Sequence, residues 1–92
     1  MTSAAAASAK SMPEDFRISI TDATGKDSYP ISGFTYILVS QTMPKDKGQR
    51  LVKFLNWAMT DGQKMAEPLF YAPLPKGLVK KVQTKIKTIT FN

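Results

Sequence analysis

The sequence contains no cysteine and no histidine. Without cysteine there can be no disulfide, no thiolate nucleophile and no thiolate metal site. Without histidine the commonest general base and the commonest metal ligand are both missing. Acidic residues are scarce, seven against thirteen lysines and arginines, and the net charge is +6. An enzyme would have to work with those few carboxylates, the lysines and the hydroxyls, so no catalytic residue, metal or cofactor is expected. Long apolar runs are lacking too. No stretch approaches the ~18 apolar residues of a membrane-spanning helix. The N-terminal "MTSAAAASAKSM" has no early positive charge and only an alanine run, which makes a poor secretory signal. An exported form would carry its signal upstream.

What is present is modest. A chain of 92 residues is enough for one small domain. At that size about 60–70% of the unfolded surface can be buried. Hydrophobic residues make up 42% and charged residues 22%, an ordinary globular balance that argues against wholesale disorder.

Residues 2–12 favour helix through their alanines but carry almost no large apolar side chain. They read as a helix end or frayed tail (1–12), stopped by Pro13. In "DFRISIT", Phe16, Ile18 and Ile20 alternate with Arg17, Ser19 and Thr21, so a strand with one buried face is expected. "DATGKDS" is a polar loop. Tyr29 is held extended by Pro30, and "FTYILV" (34–39) is apolar enough to suit a strand covered on both faces.

After a loop, Leu51, Leu55, Ala58 and Met59 share one helical face, with Val52 and Phe54 beside them and Lys53 and Asn56 pointing away. Thr60, Asp61 and Gly62 mark a break before a short second helix that Pro68 ends. "YAPLPKG" is an extended connector. Leu78, Val79, Val82, Ile86 and Ile89 then form a stripe within a basic amphipathic helix over 76–88. Two strands make a poor sheet, and the second is too apolar for an isolated hairpin. Its cover should come from outside this chain.

The succession "D-x-YPISGFTYILV", "VKFLNWAMTDGQKMA" and "LFYAPLP" resembles the C-terminal part of the periplasmic phosphate-binding proteins of ABC transporters. The likeness extends over nearly all of residues 12–90, in the same order and with similar spacing. It implies an α/β chain that forms the last quarter or third of a two-lobed fold, with two strands and three to four helices. Residues 13–92 would belong to that segment, and the chain would cross between lobes near 27–33. Tyr29, Pro30 and Ile31 are then hinge candidates, because a few element-terminal residues absorb lobe closure. The resemblance also implies partners: phosphate and ABC permease subunits for the parent protein, and the remainder of the parent chain or a second copy for this segment. The implied location of the parent is the periplasm or the cell surface.

The family holds phosphate with helix N-termini, hydroxyls, an arginine and an aspartate, and those segments lie upstream of the part matched here. Arg17, Arg50, Ser32 and Thr35 match none of those positions, so no phosphate-binding residue is assigned. "TGKDS" at 24–28 echoes a phosphate loop but lacks the upstream glycine and a following helix. The acid pairs Glu14–Asp15 and Asp22–Asp27 suit solvated turns. Phe54 and Trp57 read as core. The alternative function is a stand-alone basic module that binds nucleic acid or an anionic surface through the 76–88 helix. Those lysines lack interleaved arginines and stacking aromatics, so no nucleic-acid partner is expected.

Overall fold

A computed structural model describes residues 2–22 and 24–92. Three α-helices are formed: α1 (Thr2–Ala9), α2 (Lys45–Met59) and α3 (Lys76–Ile86). Two short strands, β1 (Thr42–Met43) and β2 (Thr90–Phe91), pair in parallel, Thr42 opposite Thr90 and Met43 opposite Phe91. Parallel strands need a long crossover, and α2, two 3-10 turns and α3 supply it. The chain is thus mixed helix and strand around one β-α-β unit.

Prolines start both long helices. Pro44 and Pro75 stand immediately before α2 and α3 with φ −55° and −65°, angles that lead into a helix at no cost in backbone freedom. The apolar stripes of the two helices face each other. Leu55, Leu78 and Ile86 are buried there, while Lys80, Lys81, Lys85 and Lys87 stay in solvent. The N-terminal end of α2 lies on the strand pair, and Gly48 permits the approach. A Cβ at Gly48 would sit 2.6 Å from the Phe91 ring and 3.1 Å from Cβ of Met43.

The alanine-rich helix packs on α3. Ala4, Ala5 and Ser8 are buried, and the Ser8 hydroxyl donates to the carbonyls of Ala4 and Ala5. Small side chains let the backbones approach closely. The Lys81 ammonium donates to the Ala9 carbonyl at the end of α1, where the helix dipole favours a cation.

Neither strand expected before residue 40 forms a ladder. Over 16–21 the burial does alternate: Phe16, Ile18 and Ile20 turn inward, and Arg17, Ser19 and Thr21 outward. But Phe16 and Asp22 have φ of 62° and 52°, so left-handed residues bracket the segment and break its extended path. Among the described residues, no backbone group of 33–40 bonds to another backbone group. The Tyr36 hydroxyl substitutes for a ladder: it donates to the Phe16 carbonyl at 2.6 Å and accepts from the Ile18 amide at 3.4 Å. The number of strands matches expectation, but they form at 42–43 and 90–91. Extended backbone becomes sheet only where a neighbour completes its hydrogen bonds, and 34–39 finds none.

The helix expected after Thr60 is two 3-10 turns, Asp61–Met65 and Glu67–Leu69. Pro68 lies inside the second turn rather than ending a helix, since a first-turn position needs no N–H. Phe70, at φ 64°, closes it.

Candidate functional site

Two features stand out among the described residues. The first is a junction. The Gln63 side-chain amide donates to the Ala58 carbonyl at the end of α2 (2.9 Å), and its oxygen accepts from the Leu74 amide (2.8 Å). One side chain therefore ties the helix end to the proline-rich connector. Gly62 sits beneath Trp57, where a Cβ would meet the Trp57 ring at 3.1 Å and its carbonyl oxygen at 3.2 Å. The motifs at 57–63 and 71–75, separate in sequence, are one structural unit. Sequence reasoning recognised both but not their joint; the signal was a glutamine, with both a donor and an acceptor, next to a proline-rich stretch.

The second feature is an apolar trough of about 380 Å³ between the extended segment and the helices. Phe34, Leu55, Met59, Leu78, Val82 and Ile86 line it, with Asp15 and Lys85 among the few charged contributors. Such a lining does not suit a dehydrated oxyanion, which demands convergent N–H, hydroxyl and guanidinium donors. Arg17 pairs with Asp15 at 3.5 Å on the open surface, and Arg50 is exposed elsewhere. Among the described residues, no three histidine, cysteine, aspartate or glutamate side chains cluster to hold a metal.

The remaining candidates fall as follows. Tyr29, Pro30 and Ile31 are exposed and occupy the end of a closed loop. The Asp22 amide donates to the Pro30 carbonyl at 2.7 Å, and the Ser32 hydroxyl to the Tyr29 carbonyl at 3.0 Å. Ser32 is buried, whereas Thr35 is exposed. Phe54 and Trp57 are not core. They are 55% and 44% exposed and stack on each other with ring centroids 5.8 Å apart. α2 buries its Leu55 edge against α3 and leaves the next strip of its surface half-covered. No helix among the described residues is long and apolar enough to cross a membrane.

Comparison with known proteins points to one class, the phosphate-binding proteins. Over 72 residues, 76% of its length, the chain is 40% identical to the phosphate-binding protein PstS of Xylella fastidiosa, in both strain Temecula1 and strain 9a5c. It is 30% identical over 70 residues to PstS of Haemophilus influenzae. The chain spans about a fifth of those relatives, 20% and 21% of their length. It is therefore related to PstS and corresponds to a fragment of such a protein. No family model matches the chain, and no solved structure does.

Proposed function

We propose that the chain is a C-terminal scaffold segment of a phosphate-binding protein serving an ABC importer. The parent would be two-lobed and would act in the periplasm or at the cell surface, passing phosphate to permease subunits. In this reading the segment contributes no ligand group and no catalysis. It supplies the β-α-β unit and the Gln63 junction, while the rest of the fold carries the oxyanion site. Residues 27–33 form the crossing between lobes, with Tyr29, Pro30 and Ile31 absorbing closure. The exposed loop that ends at these residues supports that role, since a hinge needs backbone that can turn without breaking a core.

The observation that carries the reading is the 40% identity over 72 residues to the Xylella protein. A chimera tests it. The aligned fifth of the Xylella phosphate-binding protein is replaced by this chain's residues, and phosphate binding is measured by calorimetry. Retention of affinity within about tenfold supports the reading, since tenfold is only about 1.4 kcal/mol. A folded chimera that no longer binds phosphate overturns it.

A further inference from the structure

Among the described residues, three that are not glycine have positive φ: Phe16, Asp22 and Phe70. A bulky side chain is crowded on a left-handed backbone, where glycine fits freely. Asp22 belongs to a residue type that tolerates this conformation in turns. Phe16 is half-buried and lines the trough. Phe70 gains nothing comparable. At φ 64° it is 94% exposed, so its ring packs on almost nothing in the chain. Strain of this kind, kept without a packing reward, marks a contact made outside the chain.

The turn that holds Phe70 is well tied. The Leu69 and Tyr71 amides donate to the Ala66 carbonyl at 3.0 and 2.9 Å, and the Phe70 amide donates to the Glu67 carbonyl at 2.9 Å. Just beyond, Gln63 secures the Leu74 amide to the end of α2. Turning the tip back onto the helices would break these bonds. Leu69 and Tyr71, on either side of Phe70, are exposed as well, as is Met65. A fixed apolar projection loses little freedom on binding.

The charge that follows is one-sided. Between Ala66 and Asn92 the one acid is Glu67, against five lysines at 76, 80, 81, 85 and 87, all exposed. Four of the chain's six net positive charges therefore arise there. An aromatic tip beside a lysine-rich helix suits an anionic lipid surface. Aromatic rings settle at the headgroup level, and lysines are drawn to anionic lipids. Nucleic acid fits less well, because the aromatic residues neighbour leucine and methionine rather than alternating with the cations.

We propose that Leu69, Phe70 and Tyr71 form a membrane-contact tip, which enters the headgroup layer of an anionic bilayer while the lysines of α3 draw the chain to it. The contact is peripheral, and it is independent of the phosphate reading.

Co-sedimentation with lipid vesicles tests it. The full chain is mixed with vesicles of equal parts phosphatidylglycerol and phosphatidylcholine, or of phosphatidylcholine alone. Binding to the first and much weaker binding to the second are expected. Phe70→Gly should lower the partition into anionic vesicles about tenfold, since a buried ring contributes several methylene equivalents. Its urea midpoint should hold or rise, because glycine accepts φ 64°. Leu69→Ser should weaken binding in the same direction, and Lys76→Glu with Lys80→Glu should weaken it further. Absence of binding to anionic vesicles overturns the proposal. So does binding that Phe70→Gly leaves unchanged, since charge alone would then account for it. The chimera described above should bind the same vesicles. A chimera that binds phosphate but ignores them would show the tip to be covered by the rest of the fold, and would overturn this proposal while leaving the phosphate reading intact.

Discussion

The helical half of the molecule, α2 to α3, and the extended arm of residues 13–41 are both rich in apolar side chains, yet the first buries Leu55, Leu78 and Ile86 whereas the arm buries only Ile20. Leu78 is 2% exposed, and Leu38 is 96% exposed. The difference is one of hydrogen bonding. A helix satisfies its own backbone and needs only one partner for its apolar stripe. An extended segment needs a neighbour for its backbone before its side chains can form a layer. Among the described residues the first requirement is met along α2 and α3, and the second only where β1 meets β2.

The comparison would break most visibly at Leu78. Leu78→Ala should cost about 2–5 kcal/mol, the range for a large apolar side chain deleted from a core. So small a core holds little more than that, so loss of the urea transition altogether is within the expectation. A cost below about 1 kcal/mol would mean that α2 and α3 are only loosely associated and the two halves are alike.

The Gln63 junction should rank next. Gln63→Ala removes two hydrogen bonds and leaves the Leu74 amide and the Ala58 carbonyl without their partner. At about 1 kcal/mol for each bond, with part of the site open to water, a loss of about 1–2 kcal/mol is expected. Urea denaturation measures it. A neutral result would reduce the Trp57–Gln63 motif to a surface turn.

Gly48→Ala sets two effects against each other. Alanine favours the helix by about 1 kcal/mol. Its Cβ would fall 2.6 Å from two atoms of the Phe91 ring, and overpacking costs about 1–3 kcal/mol. Phe91 is partly exposed and can swing aside, so the net loss should be about 1 kcal/mol, with disruption of the β1–β2 pair. Amide hydrogen exchange at Thr90 and Asn92, whose N–H groups donate to Gln41 and Met43, reads that directly. A stabilised variant with protected amides would show that the strand pair tolerates the displaced ring.

The parts legible in the sequence follow the same division. The stripes of α2 and α3 could be placed because a 3.6-residue period describes a face that one neighbour can bury. The alternation at 16–21 correctly gave the inward side chains, but not the absence of a ladder. Period two describes side chains and is silent about whether a partner strand exists. The strand pair at 42–43 and 90–91 escaped notice because two-residue strands have no period at all; the Thr42–Thr90 hydroxyl contact at 2.9 Å becomes meaningful only in three dimensions. α1 is hard to place from sequence since its packing relies on small side chains, which area arguments discount. Phe54 and Trp57 read as core because a wide apolar stripe does not say how much of it this chain can cover. The trough draws its lining from segments far apart in the chain, from Met12 to Ile89, so no single stretch of sequence announces it.

The smallest effect is the sharpest test of the comparison. Leu38→Ser alters a side chain that touches almost nothing, on a backbone bonded to nothing. Its effect on the stability of the isolated chain, measured by urea unfolding at low micromolar concentration, should lie within about 0.5 kcal/mol, as for an ordinary surface site. Leu55→Ala, a change of similar size in α2, should cost several times more, because Leu55 is buried against α3. Matched losses at the two positions would mean that the arm folds down and shares the core in solution. A large loss at Leu55 with none at Leu38 would leave the helical half carrying the stability and the arm contributing none of it.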